Sequence, residues 1–277
     1  MAVKKRLYRP VGEVTRGKTH QNRLRRVDIF LLMYAGDLIR RLDGLYRRAF
    51  YVDLGYGAEA FTTLESADRF RVQNPKLPVL GVEIEPERVA AALPFADEST
   101  FFRLGGFNLP LETGETVRLL RAFNVLRQYE ENEVFASHQL MGSYLLPGGL
   151  LIEGTSDPLG RIWVANLIRR NETGLMMEGL LFSTNFRWGF DPGIFQPVLP
   201  KNFIHRMLPG EVIFDFMEAW KDAARQTIAV KPLGLRQWFA ASAMALAEKG
   251  YVIDLRRQYL QKGFLLWKRF TPLVPLP

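Results

Sequence analysis

Apolar positions change rhythm along this chain, and each change predicts an element. From Asn22, an N-cap type residue, Leu24, Val27, Leu31, Ala35, Leu38, Leu42 and Leu45 recur at helical spacing with arginines off the stripe. Gly36 and Gly44 divide that stripe into two or three helices. Tyr51, Val52 and Leu54 then read as a short buried strand. Past Gly55 and Gly57 a helix carries Phe61, Leu64, Ala67 and Phe70 on one face and stops at Asn74-Pro75. A second strand over 79–84 and a helix opened by Pro86 follow, then strands over 100–104 and 117–123, a helix over 133–145 and a fifth strand over 149–153. Strand alternating with helix predicts an α/β fold, with a Rossmann-like, seven-stranded, mostly parallel sheet and helices on both faces.

Beyond Glu153 the alternation breaks. Runs over 161–168 and 175–184, joined by Asn171-Glu-Thr-Gly174, read as a β-hairpin, and a proline-rich apolar stretch leads to a helix over 211–226. Residues 157–232 therefore read as an inserted hairpin and helix region, either a lid over a pocket or a segment packed flat against the sheet edge. The tail returns to pattern with a helix over 235–248 stopped by Gly250, then strands over 251–255 and 263–270. Four units result: a basic arm with helices (1–48), an α/β core (49–156), the insertion (157–232), and a closing helix and hairpin (233–277).

Charge changes the picture only at one end. Residues 1–48 hold 13 Lys and Arg against 4 acids, while the remainder is nearly balanced, so the net charge of +8 belongs to the arm. Such a block is either a solvated face or an arm for nucleic acid. No apolar run approaches the roughly 20 residues that cross a bilayer, and the basic start lacks the apolar segment of a signal peptide, which makes the cytoplasm the default compartment and leaves no membrane role. With no cysteine and only His20, His138 and His205, far apart in sequence, the expected chemistry is metal-free.

The candidate chemistry gathers at FYVDLGYGAE. Gly55 and Gly57 allow positive φ and close backbone approach where a strand turns into a helix, and 26 residues after Gly57 the second strand ends in Glu83. Gly55, Gly57 and Ala60 fit the dinucleotide pattern with a downstream acid for a ribose. Asp53 points elsewhere, since a carboxylate at that turn repels a pyrophosphate and suits an amino group. An amino acid joined to an adenosine meets both demands.

The D-x-G-x-G turn and GVEIEPERV resemble the first two motifs of the class I S-adenosylmethionine (SAM) dependent methyltransferases, with Glu59 standing where a third glycine is common. The phrases RGKTHQNRLRRVD, RLGGFNLPL, RAFNVLRQYEE, LIEGTSDPLGR and LPKNFIHRMLPGE resemble those of bacterial methyltransferase-like proteins of unassigned substrate. The resemblance implies SAM as cofactor, bound by Asp53, Gly55, Tyr56, Gly57, Glu83, Ile84, Gly106, Phe107 and Asn124. Asp53 would hold the methionine amino group and Glu83 the ribose hydroxyls. Gly106 and Phe107 would border adenine, and Asn124 the sulfonium arm.

The segment NVLRQYEENEV lacks the [DN]-P-P-[FYW] of enzymes that methylate base amines, which favours a small-molecule acceptor over RNA. Candidates for a catalytic base are Glu153, Asp157 and His205, with a buried structural His205 as the competing assignment. Three other functions stay open: a SAM-binding protein without catalysis, a nucleic-acid-binding module using the arm, and a nicotinamide-dependent oxidoreductase. Oligomeric state is not legible.

Overall fold

The protein is described here from a computed structural model covering residues 9–275. Its elements run α1 (Arg25–Tyr34), α2 (Gly36–Arg40), β1 (Phe50–Leu54), α3 (Phe61–Arg71), β2 (Val79–Glu83), α4 (Pro86–Ala92), β3 (Thr100–Leu104) and β4 (Val117–Phe123). There follow α5 (Glu131–Ser143), β5 (Leu145–Ser156), β6 (Ile162–Arg170), β7 (Leu175–Thr184), α6 (Lys201–Ile204), α7 (Val212–Gln226), α8 (Leu235–Glu248), α9 (Arg257–Leu260) and β8 (Phe264–Pro272).

One sheet in the order β3-β2-β1-β4-β5-β6-β7-β8 organises them. The first five strands are parallel, with Val52 opposite Leu80 and Leu120, and the last three are added antiparallel. β1 and β4 are buried throughout because helices cover both faces, which explains why they are mostly apolar and why the charges they carry, Asp53, Arg118 and Arg121, are buried. Tyr51 and Leu119 face one core with Val27, Phe30, Phe70 and Trp163, while Phe50, Val52 and Leu120 face the other with Val134 and Met141. A third core joins the antiparallel strands to α7 and α8, where Trp267 stacks on Phe216 at 4.1 Å between ring centroids.

Two buried arginines position the N-terminal helices. Arg118 donates to the carbonyls of Leu38, Arg41 and Ala49 at 2.8 Å and also to those of Ile39 and Tyr46. It thereby caps the end of α2 on β4, where a helix dipole favours a cation. Burial lowers its pKa to about 10, against the smaller raising effects of Tyr46 and Asp43. Arg121, fully buried, bridges Asp28 of α1 (2.5 Å) and Asp53 of β1 (2.9 Å). Burial opposes its charge, yet Asp53 and Asp28 outweigh that and hold its pKa above the ordinary arginine value.

Several elements depart from those that the sequence pattern predicts. Eight strands pair, not seven, because the hairpin over 162–184 extends the main sheet as β6 and β7. The tail supplies one strand, β8, since 251–255 makes only an isolated bridge, Ile253 with Trp267. Asn22 does not cap α1; it has φ 60° and its side-chain oxygen accepts from Arg69. Leu42 and Leu45, the last members of the predicted stripe, are exposed because the helix ends at Arg40.

Candidate functional site

The chain moves outward from β1 to β2 and β3, then returns to β4 and β5 on the other side, so the switch point lies between β1 and β4. Ligands of open parallel sheets bind at the carboxyl strand ends there. Gly55 and Gly57 sit at that point with φ of 74° and 93°. A Cβ on Gly55 would come within 2.6 Å of Val125 and one on Gly57 within 2.7 Å of the Gly17 carbonyl, so the turn needs both glycines.

Asp53 is placed at the turn but is already committed. Its carboxylate accepts from the Thr62 and Thr63 hydroxyls at 2.7 and 2.9 Å and from Arg121 at 3.0 and 2.9 Å. Three of these donors fall on Oδ2 and one on Oδ1, so the carboxylate is held by α3 and Arg121 while Oδ1 keeps an acceptor direction at the cavity that Asp53 lines. Asp53 also holds the first turn of α3 beneath the glycines. Tyr56 packs its ring edge-on against Phe102, and burial followed by the nearby Glu83 and Asp53 charges raises its pKa.

Glu83 ends β2 with 1% exposure. It accepts from the Gly57 and Ile84 amides at 3.0 and 2.9 Å and pairs with Arg88 at 3.4 Å. With Ile84, Gly105, Gly106, Phe107, Val125 and Tyr129 it surrounds a slot over β2 and β3. These groups suit an adenosine: a carboxylate for hydroxyls, apolar walls, and a backbone N–H for a ring nitrogen.

The chain itself fills that slot, leaving only about 20 Å³. Residues 9–19 cross the strand ends as an extended strap fastened through its backbone. The Phe107 amide donates to the Val11 carbonyl at 2.8 Å, and the Asn108 side chain bonds both the Val11 amide and the Arg9 carbonyl. Tyr129 accepts from the Glu13 amide, Gln128 donates to Val14, Arg88 to Thr15, and the Ala58 amide to Gly17. Gly12 lies where a Cβ would meet the Tyr129 hydroxyl at 3.0 Å, and a Cβ on Gly106 would reach Val11 at 2.1 Å. Part of the basic block is thus laid on the protein, and Arg26 is bound too, to Ser183 and the Lys262 carbonyl.

Beside the filled slot an open cavity of about 840 Å³ runs from the glycine turn over β4 and β5. Its lining includes Asp53, Asn124, Arg127, Asp157, Trp188 and Val198. Asn124 has φ 60° and bridges the ends of β4 and β5, its amide group bonding both the Ser156 amide (2.9 Å) and hydroxyl (3.1 Å).

The three base candidates are not brought together. Asp157 lines the cavity and accepts from the Ile162 and Leu159 amides. Glu153 is buried away from it, against His138 at 3.2 Å and Asn166 at 2.8 Å. His205 is exposed at the end of α6, neither in the cavity nor in the core. Among the described residues no cluster of His, Cys, Asp and Glu could hold a metal ion, and no helix is long and apolar enough to cross a membrane. Sequence reasoning missed the strap, Arg23, Tyr129 and Trp188. Gly12 and Gly17, both at positive φ, were the one signal of the strap.

The parallel order β3-β2-β1-β4-β5, reversing at the cleft, decides the architecture. The fold is Rossmann-like. No family model and no curated protein matches the chain. Solved structures similar to it include the magnesium protoporphyrin IX methyltransferase of Synechocystis, with 20% identity, 50% of this chain and 56% of that chain covered, and a TM-score of 0.36. CalS10, an amino pentose methyltransferase of Micromonospora echinaspora, shares 21% identity over 61% and 73% of the two chains at a TM-score of 0.34. NodS, an N-methyltransferase of Bradyrhizobium japonicum, shares 16% over 48% and 67% at 0.32. The chain thus spans little more than half of the first. The Rossmann-like assignment rests on strand order and register.

Proposed function

We propose that this protein transfers a methyl group from S-adenosylmethionine to a small-molecule acceptor. The observation that carries this is the convergence of the Glu83 carboxylate, the Phe107 N–H and the walls Ile84 and Phe107 on one slot beside the Gly55-Tyr-Gly57 turn, with an open cavity next to it. Glu83 would accept from the ribose hydroxyls, Phe107 would donate to an adenine nitrogen, and Asn124 would border the arm that leads to the cavity. The cofactor brings a reactive sulfonium methyl, so the protein's part is to bind, align and exclude water. Asp157, the one base candidate at the cavity, stands where it could receive a proton from the acceptor.

The strap and an adenosine claim the same donors, so binding requires residues 9–19 to leave. Apparent affinity is then reduced by the fraction of molecules with the strap seated. That same observation favours a second reading, a SAM-binding protein without turnover, in which the strap is the usual occupant. Calorimetry with SAM, S-adenosylhomocysteine and NAD, joined to amide exchange of residues 9–19, tests both. The adenosylated amino acids should bind, NAD should not, and binding should speed exchange at Val11 and Glu13. Binding of NAD alone would end the proposal, and binding without any methylated product in a lysate would leave the second reading.

A further inference from the structure

The wall of the open cavity carries more cations than it can neutralise. Arg16, Lys18, Arg23 and Arg127 line it, against Asp53 and Asp157. Asp53 is neutralised from below by Arg121. Asp157 spends its oxygens on the amides of Leu159 and Ile162 and forms no ion pair within 4.0 Å among the described residues. None of the four cations has a carboxylate partner among those residues. Arg23 bonds only neutral oxygens, the Ser156 hydroxyl at 3.3 Å and the Lys18 carbonyl at 2.7 Å.

Arg23 and Arg127 also share the wall of this cavity. Burial, against the pull of Asp157, lowers the Arg23 pKa, and the Arg127 charge lowers it further. Asp157 attracts Arg23 without forming an ion pair with it, so an anion can still bind between the two guanidinium groups, each of which can offer a carboxylate or phosphate two parallel hydrogen bonds. The rest of the cavity is of another kind. Trp188, Ile194, Pro197 and Val198 supply an apolar side, and Trp188, half exposed at 51%, has Arg161 stacked over its ring at 5.1 Å.

We infer that the open cavity binds a small molecule with an apolar, ring-sized body and an anionic group, the anion held between Arg23 and Arg127 and the body against Trp188 and Val198. As the methyl acceptor this molecule rests on the methyl-transfer proposal, but the cavity's preference is measurable with no cofactor present. At about 840 Å³ the space exceeds what the amino-acid end of a cofactor would take.

The probes are 1-naphthoate and 1-naphthylmethylamine, alike in body and opposite in charge, titrated calorimetrically into the full-length protein. The carboxylate should bind and the amine should not. Arg127→Gln, at an exposed position that leaves the core untouched, should weaken naphthoate roughly tenfold, and Arg127→Glu should reverse the preference toward the amine. Equal binding of the two probes, or binding unchanged in both variants, would overturn the inference. So would competition, since displacement of naphthoate by S-adenosylhomocysteine would assign the arginines to the cofactor's own carboxylate. Naphthoate binding in a protein that never binds S-adenosylhomocysteine would keep the anion site and remove the methyl-transfer proposal instead.

Discussion

Over β2 and β3 the cleft is filled by the chain's own backbone, held by the Phe107 amide and by the side chains of Asn108, Gln128, Arg88 and Tyr129; over β4 and β5 it is lined by charged and aromatic side chains and stays open. The first half recognises a shape that the chain can imitate, since a peptide carbonyl presents the same acceptor to the Phe107 amide as a ring nitrogen would. On the proposed reading the second half recognises charge and bulk, which residues 9–19 do not supply, because Arg16 and Lys18 are themselves part of its cationic wall. One half can therefore be occupied from within, and the other waits for a partner of opposite charge.

The largest effect should come from removing what both halves stand on. Arg121→Met leaves Asp28 and Asp53 buried without their shared cation, and urea unfolding should register a loss of about 3 to 5 kcal/mol, as for other broken buried ion pairs. An unchanged midpoint would mean that the cluster under the turn is not what holds it.

Glu83→Ala should separate the halves. It removes charge-assisted bonds worth about 1.5 to 3 kcal/mol, so S-adenosylhomocysteine should bind roughly tenfold more weakly or worse. Naphthoate binding in the neighbouring cavity should not move. If both ligands weakened together, the two halves would be one site.

A smaller effect sharpens the account of the filled half. Asn108→Ala deletes two bonds to the strap, each worth about 1 kcal/mol, so amide exchange over residues 9–15 should quicken by roughly tenfold or more. S-adenosylhomocysteine should bind tighter by up to the same factor, because less of the protein is closed against it. Glu85→Ala is the smallest change. That side chain makes no bond in the slot, and S-adenosylhomocysteine affinity should stay within about twofold of wild type.

The same contrast explains what was legible in the sequence. The glycine turn, the acid ending β2 and the run of strands could be read because Gly55, Gly57 and Glu83 are side-chain requirements at fixed spacing. The strap could not, since its fastening is almost wholly peptide N–H and C=O, which any residue supplies; only Gly12 and Gly17 marked it. Asp53 was placed at the turn, but its ion pair could not be read, because Arg121, 68 residues on, reads from sequence as one more polar position in a strand. His205 looked enclosed by its prolines and apolar neighbours, yet α6 is a single turn and His205, just past its end, is exposed. The second tail strand failed because Val252 and Asp254 exchange single backbone bonds with β8 without forming a ladder.

The placing of β8 bears on how the protein is made. β7 leaves the sheet at Thr184 and its outer neighbour begins at Phe264, about 80 residues later. At ribosomal rates of about 5 to 20 residues per second, the edge carrying Leu180, Leu181 and Phe182 spends roughly 4 to 16 seconds without its partner while α7 and α8 are synthesised. An unpaired apolar edge is a template for other chains. Stalling of translation between residues 185 and 264 would therefore present the nascent chain at its stickiest, and a chaperone that holds strand edges would find its substrate in that interval.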